Sequence, residues 1–164
     1  MAQNQTPLTD SWRGAINHAT GAEDLPMSHD LRRLLGYWHE RCGDRPFPRR
    51  ADIDPIDLSF MLERIALTEV HEHPRRYRLR VVGSFWHRLL GFEATGYWMH
   101  DWPHENQRKL TVDFYEALID GKRPRFTQRD ALVDDRPLRY EIMLLPLSED
   151  GARVSMIMTG IGPD

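Results

Sequence analysis

The chain has 164 residues, 29% of them charged and 40% hydrophobic, with a formal net charge of -3. That length predicts one domain with a sizeable core, and the slight acidity argues against nucleic acid as the main partner, because phosphate binding needs a concentrated basic surface. The lone cysteine, Cys42, rules out an intrachain disulfide. No apolar run approaches the roughly 18 residues of a membrane helix, and the opening MAQNQTPLTDSWRG lacks a signal-peptide core. A cytoplasmic protein with no membrane insertion is expected.

Residues 1–25 are polar and aperiodic and read as a flexible N-terminal arm, with a weak helical turn at Trp12 to His18. A helix is expected from Ser28 to Cys42. Leu31, Leu34, Leu35, Trp38 and Cys42 form one apolar stripe, Ser28 or Asp30 caps the start, and Gly43 suits a left-handed exit. The proline-rich RPFPRRADIDP, residues 45–55, is an extended connector. Asp54-Pro55 then starts a short helix to Leu62, so residues 26–63 read as a helical extension and connector.

From Ile65 the period shortens. Ile65 to His71 and Arg75 to Val82 read as strands joined by a turn at His73-Pro74. A short apolar helix runs from Phe85 to Leu90 and closes at Gly91, and Gly96 follows. A longer helix is expected over His104 to Asp120, with Leu110, Phe114, Ala117 and Leu118 buried and Gly121 as its end. Three strands complete the chain: Arg125 to Val133, Leu138 to Leu147, and Arg153 to Ile161. Leu138, Tyr140, Ile142 and Leu144 share one face, while Met143, Leu145 and Ile157 are read on the other. This order predicts an α+β domain with a five-stranded antiparallel sheet over residues 64–164.

The order and several motifs resemble a PAS domain. Phe85-Trp86-His87-Arg88-Leu89-Leu90-Gly91-Phe92-Glu93-Ala94-Thr95-Gly96 resembles the PAS run in which an apolar helix ends at a glycine-aromatic pair and a second glycine follows. Trp102-Pro103-His104-Glu105 resembles the start of the long PAS helix. Upstream, Tyr37-Trp38, Pro48-Arg49-Arg50-Ala51-Asp52-Ile53-Asp54-Pro55, Leu62 and Tyr77-Arg78-Leu79-Arg80-Val81-Val82-Gly83 are similar to a bacterial group of small stand-alone PAS proteins. The similarities cover about residues 28–164.

The resemblance implies a sensory or regulatory module with a pocket between the sheet and the long helix. Trp86, Trp98, Phe114, Tyr140 and Met156 are the candidate ligand-binding wall, set against the plainer reading that such large side chains fill a core. Arg80 is the candidate polar contact, able to hold a carboxylate or phosphate if its strand face turns inward. The stripe Leu31, Leu34, Leu35 and Trp38 is the candidate interface, covering the sheet's far face within the chain or across a homodimer.

A haem of the familiar PAS arrangement needs a histidine on the long helix, where ENQRKLTVDFYEALID has none. A flavin photosensor needs a reactive cysteine beside the ring, and Cys42 sits on the N-terminal helix. Neither cofactor is expected. His71-Glu72-His73 lies at a turn, and Pro103 separates His100 from His104, so no metal site is expected either. With no G-x-S-x-G elbow and Cys42 on an apolar stripe, no nucleophile stands out. A small cone-shaped α+β enzyme would have to use Asp101, His87 or Glu141, which no spacing pairs. The chain ends just past its last strand, so output through an unidentified signalling partner is expected. The other reading is a PAS interaction protein with no ligand.

Overall fold

The computed structural model describes residues 18–19, 26, 28–133 and 136–163. Among these, a six-stranded antiparallel sheet carries helices on both faces, an α+β fold. In chain order the elements are β1 (His18–Ala19), α1 (His29–Cys42), β2 (Ile65–His71), β3 (Arg76–Val82), α2 (Ser84–Leu90), α3 (Glu105–Gly121), β4 (Arg125–Val133), β5 (Arg136–Leu147) and β6 (Met156–Pro163). The strands lie in the order β1-β4-β5-β6-β2-β3. The expected sheet is therefore present, with the two-residue β1 added beside β4. The helical turn expected at Trp12 to His18 lies outside the described residues except for His18, which is in β1.

Sheet parity explains the two layers. Leu144 pairs with Thr159 and Ile142 with Ile161, so Ile142, Leu144, Ile157, Thr159 and Ile161 share the face toward α3. Met143, Leu145, Met158 and Gly160 face the other way, toward α1. Ile157, read on the far face, belongs to the α3 side, because β6 starts at Met156 and pairs Ile157 with Pro146. Tyr140 to Leu147 are buried without interruption, the pattern of a strand covered on both faces.

Helix α1 supplies the second cover. Ser28 caps it by accepting from the Leu31 N–H, and the buried Glu141 carboxylate accepts the Ser28 N–H at 2.6 Å. The helix lies close because β6 presents glycines. A Cβ on Gly160 would come within 2.6 Å of Leu34, and one on Gly162 within 2.6 Å of Ser28. Trp38 donates its indole N–H to the Pro146 carbonyl at 2.9 Å. Leu31, Leu34 and Trp38 are buried and Leu35 half-buried within this one chain. Of the two covers expected for the stripe, within the chain or across a homodimer, the described residues show the one within the chain.

Three further expectations need correction. The segment after Pro55 is a run of i to i+3 turns ending in a 3-10 turn at Leu62–Arg64, and Asp54 accepts the Ile56 N–H rather than starting an α-helix. Helix α3 is rotated from the expected stripe: Gln107, Tyr115, Leu118 and Ile119 are buried, while Leu110 and Ala117 are half-buried. It also runs through Gly121 and ends at Lys122 in the left-handed region, φ 50°. The side chain of Arg125, 2.8 Å from where a Gly121 Cβ would stand, donates to the Ala117 carbonyl at 3.1 Å and fixes that end.

Gly83 joins β3 to α2 at a close approach, where a Cβ would meet the Glu63 carbonyl oxygen at 2.2 Å. Backbone cannot move aside cheaply, so Gly83→Ala is expected to cost about 1–3 kcal/mol. Gly36 is exposed on α1 with nothing within 4 Å, so Gly36→Ala should add about 0.5–1 kcal/mol through helix propensity. Urea denaturation of both variants, with the midpoint moving in opposite directions at unchanged slope, checks the pair.

Candidate functional site

Between the sheet and α3 lies a cavity of about 60 Å³. Its floor is the α3-facing side of the strands: Ala66 and Leu79, Ile142 and Leu144, Thr159, and Arg129 from β4. Its walls are Trp86 and Leu90 of α2, Met99 and Trp102 of the following turn, and Gln107, Thr111, Phe114 and Tyr115 of α3. Gly91, at φ 79°, ends α2 in the left-handed region and turns the chain so that Met99 and Trp102 can come back over the sheet. Space on this scale holds a few waters or a molecule of a few heavy atoms. It is far below the roughly 300 Å³ at which drug-sized ligand pockets begin.

The wall is largely apolar, with a charged group on the β4 side of its floor. Arg129 is only 6% exposed and is the one charged residue among those lining the cavity. Its guanidinium lies 5.6 Å from the Phe114 ring centre, with the Tyr115 and Tyr140 side chains nearby. Among the described residues it has no ion pair, and its Nε meets no acceptor. Burial pulls its pKa down, opposed by the two tyrosines. A guanidinium starts so high that it stays cationic at neutral pH. Burial likewise pushes the Tyr115 hydroxyl up, so it remains protonated, sharing a 3.2 Å hydrogen bond with Thr68. Gln107 accepts from the Trp102 indole N–H at 3.1 Å, which leaves its buried Nε2 without a partner. Thr159 Oγ1 is also buried and unpaired.

The sequence-predicted residues divide. Trp86 and Phe114 line the cavity, and Trp86 donates to the Arg64 carbonyl at 3.0 Å. Tyr140 is fully buried on the same sheet face, directly across from Arg129 in the β4–β5 pairing. Met156 pairs with Leu147 on the opposite, α1-facing side. Trp98 bridges to the edge of β3 and stacks with His71, Arg76 and Arg78, away from the cavity. Arg80 fails for a particular reason. The β2–β3 register slips between Leu67 and Thr68, so Val81 and Leu79 are paired and Arg80 is the extra residue of a bulge. Leu79 and Val82 both reach the cavity, and Arg80 is left 63% exposed beside Glu69.

Arg129, Gln107, Thr159, Tyr115, Met99 and Trp102 were not read from the sequence. The signal for Arg129 lay in register. Val133 pairs with Arg136, which sets Arg129 opposite Tyr140, a residue already read as inward. Beginning the strand at Leu138 instead of Arg136 hid that pairing.

The enzyme candidates do not meet. His87 lies 3.2 Å from the exposed Glu93, Asp101 is 61% exposed beside His100, and Glu141 is beneath α1 on the other face. Burial raises the Cys42 thiol, keeping it protonated. Among the described residues no three His, Cys, Asp or Glu side chains group as metal ligands would, and no helix is long and apolar enough to cross a membrane.

A PAS domain family model matches residues 27–161, and the chain belongs to that family. PAS domains are in general sensory and signalling modules. The match takes in α1 and the connector as well as the sheet. Among solved structures the chain is similar to the PAS domain of Bordetella pertussis BvgS, at 17% identity and a TM-score of 0.42, over 60% of this chain and 73% of that one. It is also similar to an RNA-binding Light-Oxygen-Voltage receptor, at 15% identity and a TM-score of 0.41, over 60% of this chain and 29% of that one. No curated protein matches the chain.

A lone buried cation is costly to the fold. Arg129→Met, which keeps the bulk and removes the charge, is expected to raise the stability of the purified protein by about 1–2 kcal/mol. Urea denaturation at neutral pH checks this, with a higher midpoint expected.

Proposed function

We propose that this PAS chain is a sensory or regulatory module that takes a small molecule into the cavity beneath α3 and signals occupancy through contact with a protein partner. One observation carries the reading: Arg129, Gln107 and Thr159 bring buried, unpaired polar atoms to one small cavity. Such groups cost free energy in an otherwise apolar interior unless something pairs with them. The route outward is physical. Glu116 of α3 holds the Tyr77 hydroxyl and, at 2.7 Å, Arg75, so α3 is tied to the edge strand β3. A molecule bound under α3 biases any alternative seating of that helix only by binding one seating better than the other.

The second reading is a ligand-free interaction module, favoured by the cavity's small volume of about 60 Å³. A homodimer through the α1 stripe draws little support, since Leu31, Leu34 and Trp38 are spent on the chain's own sheet. The cytoplasmic location belongs to the same reading and rests on the sparse cysteine content.

Native mass spectrometry with an absorption spectrum on freshly purified protein tests the proposal. A non-covalent adduct that leaves on denaturation is the expected result. A bare mass, together with ordered water on Arg129 and Gln107 in a high-resolution structure, would move the conclusion to the interaction module.

A further inference from the structure

We infer that the cavity is built for a small monocarboxylate with a short apolar tail, its carboxylate held by Arg129 in the space that Gln107 and Thr159 also line. The inference deepens the ligand-sensing reading and rests on it.

The unpaired Arg129 Nε and Gln107 Nε2 are donors only, and the Thr159 hydroxyl can donate as well. Among the described residues no acidic side chain lines the cavity to meet them. The missing partner is therefore rich in acceptors. Charge narrows the class further. A guanidinium that is 6% exposed and lacks an ion pair calls for an anion, and its planar fork matches a carboxylate. A neutral amide or a water supplies an acceptor but leaves the charge uncompensated. A phosphate dianion fits poorly, because Arg129 is the only cation among the lining residues.

The remaining wall sets the tail. Ala66, Leu79, Leu90, Met99, Ile142 and Leu144 offer apolar contact and no hydrogen bond from their side chains. At about 60 Å³ the space admits a chain of a few heavy atoms in the seating described here. The Arg129–Phe114 contact steadies the guanidinium without using its donors, and its Nε stays without an acceptor.

Calorimetric titration of the full chain with acetate, propionate and butyrate, at ionic strength matched with sodium chloride, tests the assignment. Propionamide and 1-butanol serve as neutral controls. Saturable binding of at least one carboxylate is expected, with the amide at least tenfold weaker. Arg129→Met should lose about 10–100-fold in carboxylate affinity, the equivalent of one charge-assisted hydrogen bond, while circular dichroism shows the fold intact. Thr159→Val, nearly isosteric, should lose several-fold.

Equal binding of amide and acid, or undiminished carboxylate binding by Arg129→Met, would overturn the assignment. So would the absence of any saturable heat, which means the site holds water only. The native mass spectrum then separates the two levels of the argument. A neutral or cationic adduct would overturn the carboxylate class and leave ligand sensing standing, whereas no adduct and no binding would overturn both.

Discussion

Strands β5 and β6 have to be kept from water on both faces, and much of the architecture follows from that need. Ile142 and Leu144 look toward α3 while Met143 and Leu145 look toward α1, and all four are buried. Each such side chain contributes about 1.5–3 kcal/mol by leaving water, so neither cover is dispensable. Glycines at 160 and 162 let α1 sit directly on the strand, and Trp38 and Glu141 fix its two ends by hydrogen bonds across the layer boundary. A helix whose apolar stripe could serve its own sheet or a second copy is used in closing its own fold.

The opposite layer is looser, and the site lies there. Helix α3 meets the sheet through Gln107, Thr111, Tyr115 and Leu118, a mixed polar and apolar contact rather than a leucine stripe. The polar members do not all satisfy one another. Tyr115 finds Thr68 and Gln107 finds Trp102, but Arg129, Thr159 and the Gln107 amide nitrogen are left over. A core selected only for stability would fill that space with carbon. Buried groups held at a cost point to a role other than packing, and the edge contacts of Glu116 with β3 connect that role to the outside of the molecule.

Legibility tracked how local the deciding forces were. The caps and period of α1, the bounds of β2 and β4, and the glycine that ends α2 depend on neighbours in sequence, and they emerge from pattern alone. Phe114 and Trp86 could be placed because long apolar side chains beside the α2 and α3 motifs have few other places to go. Arg80 and Arg129 show the limit. Both are arginines on strands, and one-residue differences in pairing send them to opposite fates. The bulge between Leu67 and Thr68 strands Arg80 in solvent. The β4–β5 register turns Arg129 inward.

By itself, then, the sequence determined the element order, the antiparallel α+β class and the PAS resemblance, because periodicity, capping and turn chemistry are written in short stretches. Tertiary structure alone decided which face of each strand became the cavity floor, that α1 covers its own sheet, and that Arg129 is the charged residue among those lining the cavity. Those outcomes depend on strand register and on the close approach at Gly160 and Gly162. Both are relations between residues far apart in the chain, and no local pattern carries them.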